Sequence, residues 1–124
     1  MSFNLSEFKR FEKQIILKKI GISGQKKLQK SKVLIIGMGG LGCPLLTYLA
    51  SAGIYKIGIV DQDKVELSNL NRQILFNTAD LGKYKVIQAK SKINKIYKKI
   101  KIKTFNQKVS TSNIKNISKN YDII

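Results

Sequence analysis

Val33-Leu34-Ile35-Ile36 is an unbroken apolar run that passes directly into Gly37-Met38-Gly39-Gly40-Leu41-Gly42. No other stretch of the chain constrains the fold as tightly. A short, wholly apolar run is the mark of a strand covered on both faces, as in a parallel sheet flanked by helices. The G-x-G-x-x-G spacing then turns such a strand sharply into a helix. Leu45, Leu46, Leu49 and Ala52 mark the buried side of that helix, which ends at Gly53. Pro44 suits its first turn, where an N–H has no internal partner to lose.

The remaining elements fit the same scheme. Phe8, Phe11, Ile15 and Ile16 predict a helix over residues 6–19, and a second helix follows over 23–30, after the Gly21 break. Ile57-Gly58-Ile59-Val60 reads as a second strand that closes on Asp61. Residues 62–79 have no period and form a long polar connection. From Asp80 a helix is expected, with Val86, Ala89, Ile93, Ile96 and Ile100 along one side. Residues 100–105 alternate as a third strand, and 110–119 form a short helix capped by Ser110 or Thr111. Tyr121-Asp122-Ile123-Ile124 begins a fourth strand in which the chain stops, so a fragment of a longer protein is expected. The expected fold class is α/β: a Rossmann-like parallel sheet with flanking helices, truncated in the fourth strand. Residues 1–32 form an N-terminal helical segment, and 33–124 an incomplete nucleotide-binding domain.

Composition narrows the function. At 124 residues there is room for one domain. A lone Cys43 and no His exclude a disulfide scaffold and the common zinc sites, and no metal ligands are assigned. The net charge of +17 raises nucleic acid as a partner. Only Arg10 and Arg72 are arginines, however, and abundant Lys, Ile and Asn are what AT-rich codons favour. Residues 81–121 hold twelve Lys and no acid, and much of that run falls on the solvent side of one helix. A basic nucleic-acid module over 83–108 is kept as an alternative, not as the main reading. The start Met1-Ser2-Phe3 is not a leader, and the uncharged window 33–55 holds five Gly and Pro44. A cytoplasmic protein without a membrane partner is expected.

The glycine turn points to a phosphate. Backbone amides freed of side chains approach an anion at a helix N-terminus, where the dipole favours negative charge. Asp61 stands 19 residues past Gly42, at the end of the second strand, where a carboxylate would bind ribose hydroxyls. These features alone also suit an NAD-dependent oxidoreductase. Arg72 and Lys85, arriving soon after, suit a triphosphate whose α-phosphorus is attacked.

Five segments together carry a resemblance: Arg10-Phe-Glu-Lys-Gln-Ile-Ile16, Gly37 to Gly42, Asp61-Gln-Asp63, Ser68-Asn-Leu-Asn-Arg-Gln73 and Gly82-x-x-Lys85. In this order and spacing the chain resembles the ThiF/MoeB adenylyltransferases, relatives of ubiquitin-activating enzymes. The resemblance implies ATP over Gly37, Gly39, Gly40 and Gly42, with Asp61 on the ribose and Asp63 supporting it. Ser68, Asn69 and Arg72 would line the phosphate path, and Lys85 would hold the phosphates. The C-terminal glycine carboxylate of a ubiquitin-like sulfur-carrier protein would attack the α-phosphate, giving an acyl-adenylate for molybdopterin or thiamine biosynthesis, with Mg2+ as charge neutraliser. The family forms homodimers.

Two departures matter. The family's first helix usually carries Arg where this chain has Lys13, which would reach into the partner subunit's ATP site without a planar fork. The expected magnesium carboxylate and carrier-binding half would lie beyond Ile124. The 124 residues are therefore expected to be inactive alone.

Overall fold

The computed structural model describes residues 3–124, so Met1 and Ser2 of the expected 1–32 segment lie outside it. Three strands, β1 (Lys32–Ile36), β2 (Lys56–Val60) and β3 (Lys101–Phe105), pair in parallel in the order β1-β2-β3. On the free edge of β1, Leu34 N–H donates to the Ile123 carbonyl at 2.9 Å, and Val33 bridges Ile123 in parallel. That bridge is where a fourth strand was expected.

Alternation divides the sheet into two faces. Val33, Ile35, Ile57, Ile59 and Ile102 face the larger core, together with Phe11, Leu46, Ala50, Val86, Ala89 and Ile93. These come from helices α1 (Leu5–Ile15), α3 (Gly42–Ala52) and α4 (Lys85–Ile96). The opposite face is smaller: Leu34 and Val60 pack with Ile117 of α5 (Ile114–Ser118), Phe105, Val109 and Tyr121. A buried Leu or Ile stabilises by roughly 1.5–3 kcal/mol. Tyr121 lies across β2 where Gly58 has no side chain; a Cβ there would overlap its hydroxyl.

Polar groups fasten the N-terminal helices to this body. Gln14 of α1 and Gln25 of α2 (Gly21–Lys30) each donate to the Ala52 carbonyl at 3.0 Å. They satisfy an acceptor that the end of α3 would otherwise leave open. Glu7, buried, accepts from the Tyr55 hydroxyl and the Lys99 ammonium, both at 2.8 Å. Burial pushes its carboxyl up, but the Lys99, Tyr55 and Asn4 hydrogen bonds outweigh that and hold it at about 2.

Several boundaries differ from expectation. α1 stops at Ile15, because the chain turns over 16–20 into left-handed Gly21 (φ 57°). Ile16, expected on the apolar side, is 65% exposed. α4 starts at Lys85, not Asp80, because Gly82 is left-handed (φ 78°). Asp80 instead accepts from Asn77 N–H at 2.7 Å and pairs with Lys92. Tyr97 is extended, so Ile100 leaves the helix and leads into β3. Asn113, not Ser110 or Thr111, is the N-cap residue of α5; its side chain accepts from Ser110 N–H at 2.8 Å.

Glu7 titrates far lower folded than its ordinary 4.5, so its contribution is present above about pH 4.5 and lost as pH falls toward 2. Glu7→Gln should cost about 2–3 kcal/mol at pH 7 and flatten the stability–pH curve between pH 5 and 2, read by urea unfolding.

Candidate functional site

The carboxyl ends of β1 and β2 are tied together through the glycine bend. Gly37 N–H donates to the Val60 carbonyl at 2.7 Å. Asp61 then accepts from Met38 N–H on one oxygen and Asp63 N–H on the other, each at 2.8 Å. A carboxylate oxygen has two lone pairs, so both keep an acceptor site for a further donor.

The four glycines divide by what the fold asks of them. Gly37 is left-handed (φ 99°), a conformation that side chains disfavour. Gly42 must be bare because a Cβ would overlap the Gly37 carbonyl oxygen and crowd Met38 Cε at 3.2 Å. Neither reason applies to the other two. A Cβ at Gly39 would meet only Gln73 Nε2, at 3.9 Å, and at Gly40 only the Arg72 chain, at 3.5 Å or beyond. Internal packing does not explain these two glycines. Their bare backbone opens toward Arg72 and Gln73.

The connection after Asp61 delivers those side chains. A one-turn helix over Leu67–Asn69 is closed by Asn69, whose side-chain oxygen accepts from Glu66 N–H at 3.0 Å. The Asn69 carbonyl accepts from Gln73 N–H at 2.9 Å, and exposed Arg72 donates through Nη1 to the Ser68 carbonyl at 3.0 Å. Ser68 itself is exposed. Lys85, at the start of α4, donates its N–H to the Asp63 carbonyl at 3.0 Å. Its side chain is 7% exposed, with the ammonium 3.9 Å from Asp63 Oδ2.

Glycine bend, Asp61, Asp63, Arg72 and Lys85 thus occupy one end of the sheet. Lys13 does not join them within the chain; it lies exposed in the last turn of α1. Cys43 is core, as expected: burial pushes its thiol up to about 11, with the Lys85 charge lowering it and Asp61 raising it. A thiol held there is a poor nucleophile. Among the described residues no three His, Cys, Asp or Glu gather as a metal site, and no helix is long and apolar enough to cross a membrane.

Sequence reasoning gave Gln73 no role. It is buried beside Gly39, and its Oε1 has no hydrogen-bond partner among the described residues. Unpartnered buried acceptors are rare, and this one stands at the bend. The usable signal was spacing: Asn69, Gln73 and Phe76 recur at four and three and are all buried.

Comparison with known proteins gives the family of the chain and its fold relatives. The profile of the ThiF family matches residues 11–124. The adenylyltransferase and sulfurtransferase UBA4 of Vanderwaltozyma polyspora is 46% identical over 125 residues, which span 100% of this chain and 29% of that protein. The crystal structure of PaaA superposes with a TM-score of 0.88 at 34% identity, covering 97% of this chain and 40% of PaaA. The crystal structure of E. coli MccB with ATP gives a TM-score of 0.72 at 33% identity, covering 75% of this chain and 28% of MccB. The chain spans less than a third of the length of the UBA4 proteins it matches.

The division among glycines is open to direct measurement. Gly42→Ala should destabilise the fold by about 1–3 kcal/mol or more through overpacking. Gly39→Ala and Gly40→Ala should leave the thermal midpoint unchanged or slightly raised, since neither φ is positive.

Proposed function

The chain belongs to the ThiF family, and from that premise we propose that it is the ATP-binding part of an adenylyltransferase acting on a ubiquitin-like sulfur-carrier protein. One observation carries the reading: the fold requires neither Gly39 nor Gly40, and their bare backbone faces Gln73 and Arg72 respectively, the latter one of only two arginines in the chain. ATP would lay its phosphates on the amides of Gly39, Gly40 and their neighbours. The free acceptor sites of Asp61 would take the ribose hydroxyls. Arg72 and Lys85 would hold the phosphates, with Ser68, Asn69 and Asp63 shaping the path.

In the proposed reaction the carrier's C-terminal glycine carboxylate attacks the α-phosphorus. A carboxyl oxygen–phosphorus bond forms, the bond to the bridging oxygen breaks, and pyrophosphate leaves with that electron pair. Negative charge accumulates on the leaving group, where fixed cations lower the barrier most. Mg2+ would supply further charge neutralisation when bound. The chain alone, less than a third of the length of the UBA4 proteins it matches, is proposed to bind ATP without releasing pyrophosphate when offered a carrier. The sulfur carrier is inferred from the name of UBA4 and from the family resemblance, and serves molybdopterin or thiamine biosynthesis in a cytoplasmic setting.

A homodimer completes the proposal. Leu41, just before α3, and Leu45 and Tyr48 within it recur at four and three and are 87%, 47% and 74% exposed, so Leu45 lies off the buried side expected of it. Such a stripe suits a second copy, and it would let Lys13 act across the interface.

ATP should raise the thermal midpoint, by about 2.7 kcal/mol of stability at a hundred times its dissociation constant, whereas NAD should not. Arg72→Ala should weaken ATP roughly 10- to 100-fold by removing charge-assisted hydrogen bonds. Preference for NAD, or ATP binding indifferent to Arg72, would overturn the reading, and clear pyrophosphate release on adding a carrier would refute inactivity of the isolated chain.

A further inference from the structure

The opposite end of the sheet carries a second constellation. Lys32, Lys56 and Lys101, the first residues of β1, β2 and β3, stand directly opposite one another in register. Their side chains share the face of Leu34, Gly58 and Lys103, not that of the main core. Adjacent strands are about 4.8 Å apart. Like charges directly opposite one another destabilise a sheet. Codon bias explains how many lysines a chain has, but not three of them in one register row.

Around this row lies a cleft of about 570 Å³, lined also by Lys103, Lys119, Asn116 and the aromatic pair Phe105 and Tyr121. No acid lines it. Asp122, beside the row, accepts the backbone N–H of Lys32 at 2.9 Å. Among the described residues, none of the five lysines is paired with a carboxylate. Lys56 and Lys101 also border a second hollow of about 420 Å³, with Lys98 and Lys99 on its rim. The cationic surface is therefore a track through two hollows, longer than one small anion needs.

We propose that this track binds the phosphate backbone of single-stranded nucleic acid, at a site separate from the glycine bend. Lysine ammoniums are point charges without the fork that reads carboxylates or base edges. A row of them follows a phosphate chain without choosing sequence. Phe105 and Tyr121, half-buried and packed edge-to-face on each other, with the Lys103 ammonium 5.2 Å from the Phe105 ring centre, put aromatic surface in the cleft wall, the second ingredient of single-strand grooves.

The test measures binding of a fluorescein-labelled single-stranded RNA of mixed sequence to the chain, by anisotropy across a salt series, first without ATP and then with saturating ATP. Lys32→Gln, Lys56→Gln and Lys101→Gln combined should weaken binding at least tenfold and reduce the salt slope by about two. A control removing equal charge elsewhere, Lys26→Gln, Lys90→Gln and Lys95→Gln, should weaken it less than threefold. Without ligand the first triple variant should melt no lower than the parent, because like-charge repulsion is relieved. Equal losses in the two variants would mean diffuse attraction by a +17 chain and would overturn the proposal. Displacement of the RNA by ATP would place it at the glycine bend, and equally tight binding of polyglutamate would assign the track to acidic protein; either result would overturn it too.

Discussion

Asp61 is the pivot of the molecule. Its two oxygens accept Met38 N–H and Asp63 N–H at 2.8 Å each, so one carboxylate joins the end of β2 to the glycine bend and to the start of the long connection. A bend of three glycines in four positions has large conformational freedom when unfolded and needs an external anchor to hold one shape. The anchor is charged, and hydrogen bonds to a charged acceptor are roughly twice as strong as neutral ones. Everything downstream inherits this alignment. Asp63, fixed by the same carboxylate, offers its carbonyl to Lys85 N–H and so sets where α4 begins.

A parallel sheet has two chemically different ends, and this chain gathers a distinct set of residues at each. At the carboxyl ends the strands release into the bend and the 61–73 connection, where glycine amides, Arg72 and Asp61 collect. At the amino ends the strands begin with three lysines in one row. Because every strand points the same way, a residue's position within its strand decides which end it serves. Lys32 and Gly37 are five residues apart, yet lie at opposite ends of the same strand.

The legible parts were those in which local pattern and long-range packing agree. The run Val33 to Ile36, the glycines and the Ile57–Val60 strand each have a period or composition that only one environment satisfies, and each stands where expected. Boundaries failed where a single left-handed glycine overrides an apolar period. Gly82 breaks a pattern that otherwise runs back to Asp80, and Gly21 ends one that reaches Ile16. Buried polar residues were the larger omission. Gln25 is fully buried and Glu7 nearly so, because partners far along the chain satisfy them: Ala52 for one, Tyr55 and Lys99 for the other. Polar type and local spacing carry no information about such distant partners. Gln73 is a different case: its Oε1 has no partner among the described residues, and the only trace of its burial in the sequence is the short Asn69, Gln73, Phe76 spacing.

Lys85 shows how the fold and the proposed site are one problem. Burying an ammonium is costly unless a carboxylate or hydrogen-bond acceptors compensate. Asp63 Oδ2 lies at 3.9 Å, within ion-pair range but beyond hydrogen-bond length, and that carboxylate is itself 62% exposed, where solvent weakens the attraction. A partner so weak offsets little of the desolvation. The thiol of Cys43, held protonated by burial, adds no anion of its own. The charge is therefore held near the bend with only a weak protein partner, although the helix could have begun with a neutral residue. An anion arriving between Arg72 and Lys85 would give that ammonium the close partner that Asp63 is not, so a weakly paired cation of the fold is also well placed to favour a phosphate.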